Sequence, residues 1–177
     1  MERTYTAPPK TLFEVFESLP EGTPAQLINN QIVMSPAPSD AHQETLIEIS
    51  TTLHQFVKKN GLGKMRTAPY DVYLSRRNAY QPDIVFVANE NLHKIQPNGL
   101  HGAPDLVIEI LSPATWRFDK EDKKDEYERS GVKEYWMVEP LDKTTEGFRL
   151  VGDQFQPLPT EEQGKLSIYL LNFSLTF

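Results

Sequence analysis

Leu106-Val107-Ile108-Glu109-Ile110-Leu111 is a run of five large aliphatic residues interrupted by one carboxylate, and its reading decides the fold. A nearly continuous apolar run of this length predicts a strand buried on both faces, as at the centre of an α/β sheet. Within such a strand a carboxylate is costly to bury unless something satisfies it. Glu109 therefore either pairs with an arginine, faces solvent on an amphipathic strand, or serves a metal or a reaction. The run shows no strict alternation, which favours a metal or catalytic role.

Downstream, Ser112-Pro113 leads into a charged stretch from Arg117 to Ser130, closed by Gly131 and followed by Glu134-Tyr135-Trp136-Met137-Val138. The order strand, helix, strand requires a crossover, so these two strands are expected to run parallel at the sheet's centre. Upstream, Ile84-Val85-Phe86-Val87 is a second buried run inside an expected strand at 83–88, preceded by expected strands at 64–68 and 71–74. Still earlier, Leu46, Ile49, Leu53, Phe56 and Val57 recur at helical spacing between Ser39, a candidate N-cap, and Gly61, a candidate C-cap. Asn29-Asn30 separates two short apolar stretches and tolerates the left-handed backbone of a tight hairpin. Thr11 opens a short capped helix. In the tail, alternation at 148–151, 154–155 and 166–170 predicts edge strands.

The chain has 177 residues with 38% hydrophobic and 24% charged side chains, a globular composition. It shows no repeat and no linker, so the expectation is one domain over 1–177 with its core at about 11–151. No stretch approaches the roughly 18 apolar residues of a membrane span, and the first residues carry no apolar signal core, so the expected location is cytoplasmic. The absence of cysteine excludes disulfides, thiolate zinc sites and a cysteine nucleophile. Any metal must be held by oxygen or histidine. A net charge of −7 argues against a polyanion partner, yet 13 of the 18 basic residues fall between Lys58 and Lys133, so the middle of the chain is locally basic.

Asp83 follows Gln81-Pro82 at the mouth of a buried strand, where ligands gather in open α/β sheets, although Pro-Asp is also an ordinary turn signal. Asp105 offers a second Pro-Asp, but it lies four residues before Glu109, ~13 Å along a strand. That separation is too long for one magnesium ion, whose oxygen ligands sit ~2.1 Å away. An aspartate on a neighbouring strand has no such limit. In the segment from Asp119 to Arg129, Asp119, Lys123 and Tyr127 share a helical face, and Tyr127 is its one large apolar residue. An exposed Asp119–Lys123 pair would contribute only about 0.2–0.5 kcal/mol. If instead the helix folds back on the Glu109 strand, Lys123 places a cation beside an attacking water. Two carboxylates holding Mg²⁺ and one lysine suit hydrolysis of a phosphodiester. His42, at the start of the long helix, is either a capping histidine or an assistant in that chemistry.

Taken in order, Leu27-Ile28, Ile32-Val33-Met34-Ser35-Pro36, His42-Gln43, Gln81-Pro82-Asp83-Ile84-Val85-Phe86-Val87, Pro104-Asp105-Leu106 through Ser112-Pro113, Thr115, Asp119, Lys123, Tyr127 and Gly131-Val132-Lys133-Glu134-Tyr135-Trp136-Met137-Val138-Glu139-Pro140 resemble the Uma-type restriction endonucleases of the PD-(D/E)XK nuclease superfamily. The resemblance implies a restriction-endonuclease-like α/β fold, a mixed sheet flanked by helices. It also implies that Asp83 and Glu109 bind Mg²⁺, with Mn²⁺ as a substitute, and that the Ile110 carbonyl is a further ligand. Leu111 stands where the superfamily carries its lysine, and Lys123 looks like the migrated replacement. The implied activity is a metal-dependent endonuclease acting on DNA, often as a homodimer. Two other readings remain open: a nuclease-like module that only binds DNA or a protein, and hydrolysis of RNA or a nucleotide.

Overall fold

A computed structural model describes residues 11–112 and 119–177, with the side chains of residues 119 and 120 left aside. Thr11 caps helix α1 (Leu12–Glu17) through a capping box: its Oγ1 accepts the Glu14 N–H at 3.2 Å and Glu14 Oε2 accepts the Thr11 N–H at 3.1 Å. Strands β1 (Ala25–Ile28) and β2 (Gln31–Met34) form the expected hairpin. Its two-residue turn is Asn29-Asn30, with φ of 48° and 62°, a conformation asparagine tolerates. Helix α2 (Asp40–Asn60) begins at the Ser39 cap and stops at Gly61, whose φ of 61° ends the helix.

The next strands are β3 (Gly63–Thr67), β4 (Val72–Ser75), β5 (Asn78–Tyr80), β6 (Ile84–Ala88), β7 (Ile95–Gln96), β8 (Gly99–His101) and β9 (Leu106–Ile110). A π-helical turn (Asp119–Lys123) runs into helix α3 (Lys124–Ser130) and then strand β10 (Glu134–Val138). The chain closes with β11 (Thr145–Val151), β12 (Gln154–Pro157), β13 (Lys165–Ile168) and β14 (Phe173–Thr176). The fold is mixed α/β. One six-stranded sheet has the order β12-β11-β10-β9-β6-β3, a second has β2-β1-β5-β4-β8-β7, and β13 pairs with β14 alone.

Strands β9 and β10 run parallel at the centre of the first sheet, as the crossover requires, and every residue of both is buried. Their two faces are covered differently. Ile108, Trp136, Ile84 and Phe86 pack with Ile49, Leu53 and Val57 of α2. On the other face Val107, Tyr135 and Met137 pack with Tyr80, Leu100 and Tyr127, which brings α3 onto the sheet. Each large aliphatic side chain buried in this way contributes roughly 1.5–3 kcal/mol. This explains why β9 does not alternate: neither face meets water.

Two expectations need correction. The tail does not simply add edge strands to the main sheet, because β11 lies inside it, β12 forms its edge, and β13 with β14 makes a separate ribbon. The strands β5, β7, β8 and β14 have no counterpart in the sequence reading. Elements of two to four residues are too short to show periodicity, and their pairing with distant segments is what makes them strands.

Candidate active site

Antiparallel pairing of β6 with β9 sets Ile84 opposite Ile108, so the next residues along, Asp83 and Glu109, meet across the two strands. The Asp83 backbone N–H points to Glu109 Oε2 at 3.4 Å, and the Ile110 N–H donates to Asp83 Oδ2 at 2.7 Å. One aspartate thus closes the end of the β6–β9 ladder and keeps its carboxylate at the cleft. Its side chain is 15% exposed, that of Glu109 only 4%.

Glu109 is satisfied from the crossover. Lys123 Nζ, itself 3% exposed, lies 3.0 Å from Glu109 Oε1, and the Tyr127 hydroxyl donates to the same oxygen at 2.8 Å. Lys123 and Tyr127 are four residues apart and approach Glu109 from one helical face, which is the folded-back arrangement and not a solvated surface pair. The third member of the sequence spacing, Asp119, has its side chain outside the described residues, as do Pro113, Thr115 and Arg117. The π-helical turn that carries Lys123 is tied to the β1–β2 hairpin, where Asn29 Nδ2 donates to Asp122 Oδ1 at 2.8 Å.

His42 arrives from the first turn of α2, where Ser39 Oγ accepts its backbone N–H at 3.3 Å. Its Nε2 sits 3.3 Å from Asp83 Oδ2, and the ring also meets the Ile110 carbonyl. Burial alone would lower the imidazole pKa, but the Asp83 hydrogen bond, the charges of Asp83 and Glu109 and the Ile110 carbonyl outweigh it and raise the value. The buried Nδ1 has no hydrogen-bond partner among the described residues. Complete burial, and then the charge of Glu109, hold the Tyr127 hydroxyl well above its ordinary pKa, so it is a permanent donor at neutral pH.

The four sequence candidates Asp83, Glu109, Lys123 and His42 line one cleft of about 600 Å³ together with Ile110, and Gln26, Ser35 and Gln43 extend its polar wall. Asp105 does not join them. It accepts from the Ala88 N–H at 2.7 Å and from Asn91 Nδ2 at 2.9 Å, and pairs with Lys133 at 2.7 Å, a purely structural set of contacts. Sequence reasoning gave Tyr127 no chemical part, because its hydroxyl was hidden behind its value as an apolar residue. Three members of the locally basic stretch are held in ion pairs: Lys123 with Glu109, Arg129 with Glu126, and Lys133 with Asp105 and Glu90.

Among the described residues, no three His, Asp or Glu side chains form a metal cluster. What converges is two carboxylates and one backbone carbonyl. That set fits Mg²⁺, a hard cation that takes oxygen ligands, keeps several waters and needs only one or two carboxylates. It does not suit a soft metal.

A family profile named Uma2 and described as "Putative restriction endonuclease" matches residues 13–177. In three dimensions the chain is similar to a crystal structure described as a putative nuclease belonging to DUF820 from Anabaena variabilis. The two share 20% identity over 95% of each chain with a TM-score of 0.76, a likeness of fold, the restriction-endonuclease-like one. No curated protein matches.

Proposed function

The chain belongs to the Uma2 restriction endonuclease family, a family of nucleases, and on that premise we propose that it is a Mg²⁺-dependent endonuclease hydrolysing DNA phosphodiester bonds. The observation that carries this reading is the meeting of Asp83 and Glu109 across β6 and β9, with the Ile110 carbonyl facing the same cleft. Asp83, Glu109 and that carbonyl would hold the ion. When bound, it would polarise the scissile phosphate and lower the pKa of the attacking water.

The protein groups supply the rest. Tyr127 and Lys123 fix Glu109 Oε1, which turns the other oxygen toward Asp83. Lys123 Nζ adds a positive charge beside the place where negative charge develops, and in a buried cleft that charge is weakly screened. His42 Nε2, held on Asp83 Oδ2, keeps a proton at the cleft wall within reach of a leaving oxygen. Cytoplasmic action as a homodimer, with one centre for each strand of the duplex, completes the proposal.

Calorimetric titration of Mn²⁺ into the wild type, Asp83→Ala and Glu109→Ala tests it, with circular dichroism to show that each is folded. Saturable binding lost in both variants is expected, followed by metal-dependent cleavage of DNA that the same variants abolish. Wild-type cleavage by either variant would overturn the assignment. A second reading, a nuclease-like module that only binds DNA or a protein, is favoured by one observation: Lys123 already neutralises Glu109 in a buried pair. A folded wild type that binds no Mn²⁺ would select it.

A further inference from the structure

A second cavity of about 400 Å³ lies beside the catalytic cleft, and Gly22, Pro69 and Gln81 line both. Gln81 separates them. Its Nε2 donates to the Thr23 carbonyl at 3.1 Å and to Asp71 Oδ1 at 2.9 Å, while its backbone N–H donates to Gln26 Oε1 at 3.1 Å in the wall of the cleft. Two residues later in the chain stands Asp83. The second cavity therefore adjoins the cleft in which the scissile bond is proposed to lie.

Its chemistry is unlike that of the cleft. Phe16, Leu19, Pro20 and Pro97 give it apolar wall surface within a lining that is otherwise largely polar. Asp71 and Asn98 line it as well, joined through the Tyr73 hydroxyl, which is hydrogen-bonded to both. Burial, with Asp71 and Glu17 nearby, pushes that hydroxyl up to about 12, so it stays a neutral donor that fixes the Asp71 carboxylate. Tyr73 is itself fixed by stacking on His101 at 4.7 Å and by edge contacts with Phe13 and Phe16. Glu17 and Glu21 add two more carboxylates, and the described lining residues include no lysine or arginine. A phosphate would be repelled. A ligand with flat faces and N–H donors on one edge would be held.

We propose that this cavity receives one nucleobase turned out of the DNA strand beside the scissile phosphate, and that Asp71 selects bases carrying an exocyclic amino group over thymine. The assignment rests on the nuclease reading above. A base connected to the strand in the cleft needs no separate path, and its faces match the apolar walls. An amino group donates to a carboxylate, as cytosine N4 does to aspartate, whereas thymine presents carbonyl oxygens on either side of its single N–H. A cationic side chain from a protein would also meet Asp71, but it would leave the apolar walls unused.

The test is fluorescence-anisotropy titration of the full chain, in EDTA to prevent cleavage, with labelled short strands of deoxycytidine and of thymidine. The expected result is a preference for deoxycytidine of about five- to a hundredfold, the range one well-placed base-edge contact supplies. Asp71→Asn should collapse that ratio toward one while thymidine binding persists. Glu21→Trp, at an exposed lining position, reads the same ratio by filling the mouth if Asp71→Asn does not fold. Equal binding of the two strands by wild type, or an unchanged ratio in both folded variants, overturns the base pocket and leaves the nuclease reading standing. No binding of either strand overturns the base pocket, whereas the nuclease reading falls only with the Mn²⁺ titration and the cleavage assay. Saturable binding of arginine amide that needs Asp71, with no base preference, assigns the cavity to a cationic side chain instead.

Discussion

Lys123 and Glu109 form an ion pair at 3.0 Å with both side chains at least 96% buried, joining the crossover helix to the central strand. Removing one partner of such a pair leaves an uncompensated charge and costs about 3–5 kcal/mol, whereas replacing both costs far less. Lys123→Met should therefore lower unfolding stability by that amount, and Lys123→Met combined with Glu109→Gln should recover most of it. Urea denaturation of the single and double variants measures this. Additive losses would show that the two side chains do not interact.

Tyr127 donates to the same Glu109 oxygen from a fully buried position. A hydrogen bond to a charged group contributes about 1.5–3 kcal/mol, so Tyr127→Phe should destabilise by that amount although it keeps the ring and its packing. Because groups behind a metal ligand set its orientation, the same variant should weaken Mn²⁺ binding about 10- to 100-fold. A variant with wild-type stability and wild-type affinity would reduce Tyr127 to a packing residue.

Asp83 accepts a structural hydrogen bond and, on the proposed reading, holds the ion, and one substitution can separate the two. Its Oδ2 accepts the Ile110 N–H, and an amide oxygen can do the same. Asp83→Asn should stay within about 1 kcal/mol of wild-type stability while losing more than about tenfold in Mn²⁺ affinity, because the negative charge is gone. Asp83→Ala should lose both. Equal stability of the two variants would mean that the Ile110 bond is of no consequence.

Asp105 links the segment before β9 to the start of β10. Burial works against its ionised form, but hydrogen bonds from Lys133, the Ala88 N–H and Asn91, with the Lys133 charge, lower its pKa below the ordinary 3.8. A carboxylate depressed in the folded state adds stability that is present above its unfolded pKa and is lost as pH falls through the folded one. Wild type should thus lose stability below about pH 4. Lys133→Met should be less stable than wild type at neutral pH, with the gap narrowing as the pH falls. A gap of constant size from neutral to acid pH would remove Asp105 from the account.

What the amino-acid sequence determined by itself was everything that local pattern can encode. The nearly continuous apolar run around Glu109 announced a strand without a solvent face, and the strand, helix, strand order required its parallel partner. Ser39, Gly61, Thr11 and Asn29-Asn30 marked ends and turns, because caps and left-handed backbone need particular residues within a few positions. The same logic singled out Asp83 and Glu109, whose charges stand out against apolar surroundings. Tertiary structure decided what touches what. Only the β6–β9 register sets Asp83 against Glu109 and leaves Asp105 to Lys133 and Asn91. Likewise, only the fold of the crossover turns the Tyr127 hydroxyl onto a carboxylate, and only the start of α2 carries His42 to Asp83. These contacts join residues from 14 to about 40 positions apart, a range over which periodicity carries no information and the register of pairing strands carries all of it.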